Sequence, residues 1–257
     1  MKLAAAHFVT EPTGARGLLH RLDPRAKIVG FVGFTVIIVS TPARTVWAFA
    51  LYAALIAFLI GLSRLRLSQV LKRALVVVPF VLLVAIFLPF VDRAGSGGYS
   101  LGAAHLTADG LLVFWNVGAK AALGVLSMIL LASTTSFPDM LVGFQRLRVP
   151  QVFVLVVSFM YRYSFVFVEE LQRIQRAMVA RNYRARWLWN VPTLGRVLSS
   201  LFLRSYGRGE RVYVAMVSRG YEGRINLSSP AEFGSAEVLF LSLLLLAAVA
   251  IRVLASI

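Results

Sequence analysis

Residues 46–62, Val-Trp-Ala-Phe-Ala-Leu-Tyr-Ala-Ala-Leu-Ile-Ala-Phe-Leu-Ile-Gly-Leu, form an apolar run without a single charged side chain. A helix of this length extends about 25 Å, close to the thickness of the hydrocarbon core of a bilayer. The whole chain shares this character, with 59% hydrophobic and only 15% charged residues, whereas soluble domains contain about 25% charged residues. The sequence therefore predicts an integral membrane protein.

Other apolar runs extend this interpretation along the chain. One begins with Asp23 as a helix N-cap and Pro24 at the first helical position, and it ends at Ser40. Further spans are predicted at residues 74–91, 110–132 and 236–254. The predicted fold is all-α and polytopic, with about five transmembrane helices. We expect residues 1–132 to hold the N-terminal tail and spans one to four, residues 133–235 a cytoplasmic helical region, and residues 236–257 the last span.

The charge distribution predicts the orientation. The chain has 27 Lys and Arg against 11 Asp and Glu, and basic residues collect in cytoplasmic loops of membrane proteins. A cytoplasmic N-terminus and four spans return the chain to the cytoplasm at Ser133, which keeps the eleven arginines from Arg173 to Arg224 inside. Residues 150–168 are apolar enough to cross, but crossing would move those arginines outside. We therefore expect residues 150–168 to lie against the bundle or within the membrane interface. The protein as a whole is expected in the cell (inner) membrane. The hydropathy indicates a membrane protein, and basic cytoplasmic loops then account for the excess of positive charge. No nucleic-acid partner is therefore expected.

A ten-residue segment of the arginine-rich region occurs twice. Residues 177–186 read Ala-Met-Val-Ala-Arg-Asn-Tyr-Arg-Ala-Arg, and residues 215–224 read Ala-Met-Val-Ser-Arg-Gly-Tyr-Glu-Gly-Arg, with six identical positions. Each copy ends an amphipathic helical pattern. Asn182 and Gly220 follow, and these residue types adopt the left-handed conformation beyond a helix end. We predict two helices, each with one arginine, Arg181 or Arg219, at its C-terminal tip.

An arginine at a helix C-terminus is explained most simply by the helix dipole, a contribution of about 0.3–1 kcal/mol. Dipole stabilisation alone does not require Met, Val and Tyr in matching positions around both arginines. The planar guanidinium forms paired hydrogen bonds to carboxylates and carbonyls. The duplication therefore favours docking to two equivalent partners, or to one partner with two-fold symmetry.

At these residues the chain resembles the CbiQ/EcfT family, the transmembrane (T) components of energy-coupling-factor (ECF) importers. Ala180-Arg181-Asn182 and Ser218-Arg219-Gly220 are similar to the two Ala-Arg-Gly motifs of that family, and they depart from it at Asn182 and Ser218. The remaining matching stretches are Leu19-His20-Arg21-Leu22-Asp23-Pro24-Arg25-Ala26-Lys27, Val39-Ser40-Thr41-Pro42, Ser133-Thr134-Thr135, Leu147-Arg148-Val149-Pro150, Met160-Tyr161-Arg162-Tyr163 and Glu169-Glu170.

The resemblance implies a non-catalytic subunit that joins two cytoplasmic ATP-binding subunits to a separate substrate-binding membrane subunit, with Co²⁺ as the favoured cargo. An ECF system for nickel or a vitamin remains an alternative, as does a self-contained carrier or channel. The resemblance assigns the ATPase contacts to Arg181 and Arg219 with their neighbours Ala180, Asn182, Ser218, Gly220, Met178, Met216, Tyr183 and Tyr221.

Two polar residues, Asn116 and Lys120, lie one turn apart in the predicted fourth span. An ionisable residue inside a membrane is a functional hypothesis by default, but a structural pairing within the bundle is favoured here. The sequence offers no deep Asp or Glu as a partner for Lys120. His7, His20 and His105 are scattered and there is no cysteine, so we predict no metal site. A phosphate-binding G-x-x-x-x-G-K-[ST] pattern does not occur, and no cofactor is expected.

Overall fold

The computed structural model describes residues 19, 22–42, 45–63, 68, 70–75, 99–101, 104–106, 108–182, 191–223 and 234–256. The helices are α1 (Pro24–Val39), α2 (Val46–Ser63), α3 (Ala108–Thr134), α4 (Phe137–Arg146), α5 (Gln151–Ala180), α6 (Val191–Val217) and α7 (Ser235–Leu254). Residues 70–75 are also helical. Two short antiparallel strands, β1 (Tyr99–Leu101) and β2 (Ala104–Leu106), pair Tyr99 with Leu106. Apart from this hairpin the described elements are helical, which confirms the predicted all-α class.

The described chain forms two compact units. Residues 19–143 and 234–256 form the first, which we call the bundle unit, and residues 144–182 and 191–223 form the second, the arginine-rich unit. The chain passes from the first unit into the second through α4. The domain boundaries predicted after residues 132 and 235 stay predictions.

The hydropathy of the helices agrees with a multi-pass membrane protein. Among the described residues, four helical stretches are long and apolar enough to cross a bilayer, namely Val46–Ser63, Leu112–Thr134, Gln151–Ala180 and Ser235–Leu254. The helix α1 matches the first predicted span but has only 16 residues, and the predicted span at 74–91 lies largely outside the described residues. Residues 150–168 are continuous with 169–180 in α5. Their placement against the bundle or in the interface stays a prediction.

The helix α1 lies at the centre of the bundle unit, between α3 and α7. Its start is built as the sequence predicts, since the Asp23 carboxylate accepts a hydrogen bond from the Arg25 N–H at 2.9 Å and Pro24 opens the helix. Phe31 and Phe34 are fully buried. Gly30 lets α7 approach closely, because a Cβ at this position would lie 3.2 Å from Leu244 Cδ2.

A buried polar contact joins three helices of the bundle unit. The Tyr52 hydroxyl of α2 lies 3.2 Å from Thr41 Oγ1, just after α1, and it donates to the Ala248 carbonyl of α7 at 3.3 Å. Both side chains are almost completely buried, and the Tyr52 ring packs edge-on against Phe34. Hydrogen bonds satisfy polar groups that would otherwise be costly to bury, so this contact fixes α1, α2 and α7 relative to one another.

Candidate functional site

The two helix ends that carry the repeated segment have the same backbone hydrogen bonds. At the end of α5, the Arg181 N–H donates to Met178 O at 3.1 Å and the Asn182 N–H donates to Val179 O at 3.0 Å. The corresponding bonds after α6 run from Arg219 to Met216 O at 3.0 Å and from Gly220 to Val217 O at 2.9 Å. The repeated sequence therefore encodes a repeated structure.

The left-handed residues stand where the sequence predicts them. Asn182 has φ 55° and Gly220 has φ 79°, a region that asparagine and glycine enter most easily. After α6, the Tyr221 N–H also donates to Met216 O at 3.0 Å, the long-range bond of a Schellman motif. Tyr183 lies outside the described residues. Both helices thus stop abruptly at an arginine.

Burial of side chains also matches between the two ends. Arg181 and Arg219 are exposed, and within the described chain neither guanidinium forms an ion pair or a hydrogen bond. The neighbouring Val179 and Val217 are 72% and 49% exposed. The other residues predicted at the site divide in the same way: Ala180, Asn182, Ser218 and Gly220 are exposed, whereas Met178, Met216 and Tyr221 are half-buried. Each end therefore offers a cation beside an exposed apolar side chain.

An ion-pair cluster joins α5 to α6. The carboxylate of Glu170, in α5, accepts from the guanidinium of Arg204, in α6, and lies 3.7 Å from Arg173 of its own helix. The Glu170 side chain is only 15% exposed. At about 1.5 Å per residue, Arg181 is about 16 Å and Arg219 about 22 Å along its helix from this contact. The cluster therefore fixes the two helices well away from their arginine tips.

Lys120 has a partner that the sequence did not suggest. Its ammonium donates to the Val39 carbonyl at 2.8 Å, and Val39 is the last residue of α1. The final carbonyls of a helix lack intrahelical partners and carry partial negative charge, so a cation is well placed there. Asn116 has a buried Oδ1 without a hydrogen-bond partner among the described residues. The geometry favours a structural role for Lys120 within the bundle unit.

Residues 15–229 match the family model described as CbiQ, cobalt transport protein. The chain belongs to the CbiQ family.

Three similar proteins have names that describe a role, and their alignments with this CbiQ-family chain differ in length. An energy-coupling factor transporter transmembrane protein EcfT of Brevibacillus brevis is 28% identical over 82% of this chain and 83% of its own length. A putative fused cobalt transport protein CbiMQ of Methanocorpusculum labreanum is 31% identical over 53% of this chain and 23% of its own length. A putative ABC transporter ATP-binding protein of Bifidobacterium longum is 26% identical over 83% of this chain and 29% of its own length.

The sequence pattern of this CbiQ-family chain does not indicate that one of its lysines, Lys27, is buried. Lys27, in the first turn of α1, is only 2% exposed, and its ammonium donates to the Thr134 carbonyl at 3.2 Å. Because Lys27 follows Arg16, Arg21 and Arg25 closely along the chain, it has the pattern of an ordinary lysine at the cytoplasmic end of a span. The only available signal was its place one turn after the Asp23-Pro24 helix start.

The described residues offer no cluster that could hold a metal ion. Within them, His, Cys, Asp and Glu side chains do not come together in groups of three or more.

Proposed function

We propose that this chain is the T component of an ECF-type importer, and that it passes the movement of two cytoplasmic ATP-binding subunits to a separate substrate-binding membrane subunit. The observation that carries the proposal is the pair of matching helix ends with exposed Arg181 and Arg219. Two helix ends with matching structures fit two equivalent partner subunits. The EcfT name of the Brevibacillus relative supports the same assignment.

ATP-binding partners receive further support from the Bifidobacterium relative. In that protein, a stretch similar to most of this chain belongs to a longer polypeptide named for ATP binding. In our proposal the ATP-binding partners are separate chains on the cytoplasmic side, which requires a cytoplasmic N-terminus and a cytoplasmic arginine-rich unit. The excess of arginine in that unit supports this orientation.

The arginine tips would act as anchors. A guanidinium offers donors in a rigid fork that fits a carboxylate or a set of carbonyls at the bottom of a groove. Val179 and Val217 would add apolar burial beside each anchor. Because α5 and α6 are joined through Glu170 and Arg204, a displacement of either tip would change the arrangement of both helices.

Co²⁺ is the proposed cargo, carried by the separate substrate-binding subunit. The description of the family and the name of the Methanocorpusculum relative both support cobalt. ATP-dependent uptake of radioactive Co²⁺ by the reconstituted complex tests this part. Uptake of Ni²⁺ or a vitamin without Co²⁺ would keep the T-component assignment and contradict the cargo.

Alanine substitutions test the docking role. A charge-assisted hydrogen bond contributes about 1.5–3 kcal/mol, so R181A or R219A should weaken association with the ATP-binding subunits roughly 10- to 150-fold. The double variant should lose both association and ATP-dependent uptake while still inserting into the membrane.

Matched controls are Arg176→Ala in α5 and Arg208→Ala in α6, which remove an exposed arginine from each helix away from its tip. Both should keep association near the wild-type level. Wild-type association and uptake in the R181A/R219A double variant would contradict docking. Transport by the purified chain alone would instead favour a self-contained carrier.

A further inference from the structure

Lys27 lies where three helix ends meet in the bundle unit. It belongs to the first turn of α1, and its ammonium bonds the carbonyl of Thr134, the last residue of α3. After a turn of two residues, α4 begins at Phe137. The Lys27 ammonium therefore supplies a donor to a helix-terminal carbonyl that has no partner within its own helix.

Two carboxylates interact electrostatically with the same ammonium. One is Asp139 in the first turn of α4, and the other is Asp23, the N-cap of α1. A buried charge costs several kcal/mol unless it is paired and hydrogen-bonded. With Lys27 2% exposed, its hydrogen bond to α3 and the attraction of the Asp139 and Asp23 carboxylates both offset the cost of burying its charge.

The helix α4 also approaches α1 closely at Gly143. A Cβ at Gly143 would lie 2.8 Å from Ile28 Cδ1 and 3.1 Å from Pro24 Cβ. Gly143 is one helical turn after Asp139, the residue whose carboxylate attracts the Lys27 ammonium. Residues 137–143 of α4 belong to the bundle unit, and the chain enters the arginine-rich unit at residue 144. Within the bundle unit, this contact therefore holds the segment that directly precedes that entry.

The same pair of antiparallel helices contains a chemically equivalent contact at its other end. There Lys120 of α3 donates to the carbonyl of Val39, the last residue of α1. Both lysines thus stabilise the C-terminus of the partner helix. The Lys27 ammonium is, in addition, attracted by the carboxylate of Asp139 in α4.

We propose that Lys27 is a positioning residue for energy coupling, which holds the start of α4 on α1 so that displacement of the arginine-rich unit moves the bundle. The inference rests on the proposed function as a T component. It assigns to Lys27 a role in transmission, separate from assembly with the ATP-binding subunits and from ATP hydrolysis.

The test uses the complete importer, reconstituted in liposomes, with Lys27→Met compared with Lys120→Met. Three quantities are measured: the amount of ATP-binding subunits that copurify, the rate of ATP hydrolysis, and the Co²⁺ taken up per ATP hydrolysed. K27M should keep the ATP-binding subunits and hydrolyse ATP, while Co²⁺ uptake per ATP falls about tenfold, the effect of losing one strong hydrogen bond. K120M also removes one hydrogen bond to a helix-terminal carbonyl, so it should lower thermal stability about as much as K27M does. It should leave Co²⁺ uptake per ATP within about twofold of the wild type. Lys27→Arg, which keeps the charge, should restore part of the ratio.

An unchanged ratio in K27M, or an equal fall in K120M, would overturn the proposal and leave Lys27 a structural residue only. If K27M does not insert into the membrane, Asp139→Asn is used instead, because it removes the carboxylate on the α4 side. D139N should then lower the Co²⁺ uptake per ATP hydrolysed, and a wild-type value of that ratio would overturn the proposal. Failure of the proposed function would be visible already in the wild type, as loss of copurifying ATP-binding subunits or of ATP-dependent uptake.

Discussion

Replacing Glu170 by Gln should loosen the contact between α5 and α6 and spread the positions of the two arginine tips. Glu170 accepts from Arg204 of the other helix and lies 3.7 Å from Arg173. Gln has nearly the same shape but no charge. The variant therefore leaves two guanidinium groups facing each other without the carboxylate that now separates them.

The structure sets the size of the effect. Exposed ion pairs contribute about 0.2–1 kcal/mol, and hydrogen bonds to charged groups about 1.5–3 kcal/mol. Since the Glu170 side chain is only 15% exposed while Arg204 is 63% exposed, we expect a loss of about 1–2 kcal/mol. This raises the population of loosened arrangements roughly 5- to 30-fold. Over the length of helix between the contact and each tip, a change of about 10° in the crossing angle displaces a tip by roughly 3–4 Å.

Electron paramagnetic resonance between spin labels measures this displacement. Val179→Cys and Val217→Cys place the labels at exposed positions beside the two tips. The distance distribution should broaden in E170Q. Glu169→Gln is the matched control, because the Glu169 side chain is 68% exposed and forms an ion pair with Arg173 of its own helix, at 3.7 Å. An unchanged distribution in E170Q, or the same broadening in E169Q, would refute the role of Glu170 in fixing the two helices.

Two further predictions concern the bundle unit, and both are checked by thermal unfolding in detergent. Gly143→Ala should destabilise the protein by about 1 kcal/mol, because overpacking against Ile28 costs about 1–3 kcal/mol and better helix propensity returns up to about 1 kcal/mol. Gly118→Ala is the control, since a Cβ there meets no atom within 4 Å, and it should be neutral or stabilising. Equal effects of the two substitutions would contradict the packing argument. Tyr52→Phe should cost about 1 kcal/mol, because it removes the hydrogen bond to Ala248 O at 3.3 Å and keeps the buried ring; an unfolding temperature equal to that of the wild type would show that this bond adds no stability.

Residues close together in sequence made the helix ends predictable. Asn182 and Gly220 adopt positive φ values because of their own backbone preferences, and the hydrogen bonds that end α5 and α6 connect residues three to five positions apart. The N-cap formed by Asp23 with Pro24 is equally local. Helix ends and caps could therefore be located from short stretches of sequence.

The hydrogen-bond partners of Lys27 and Lys120 depended on packing between distant segments. A structural pairing of Lys120 within the bundle is predicted, but the sequence offers no carboxylate as its partner; Lys120 bonds a carbonyl 81 residues away, and Lys27 bonds one 107 residues away. The contact between Glu170 and Arg204 is of the same kind, since it joins residues 34 positions apart on two helices. Short-range patterns in sequence contain no signal for such pairs.

The sequence by itself thus determined the membrane class, the start of α1 and the two arginine tips, because hydropathy, capping and backbone preference act over a few neighbouring residues. Only the tertiary structure decided that Lys27 and Lys120 stabilise opposite ends of one antiparallel helix pair, and that α4 approaches α1 at Gly143. These contacts require helix axes to come together at a particular register, and that register is set by packing of whole helix faces.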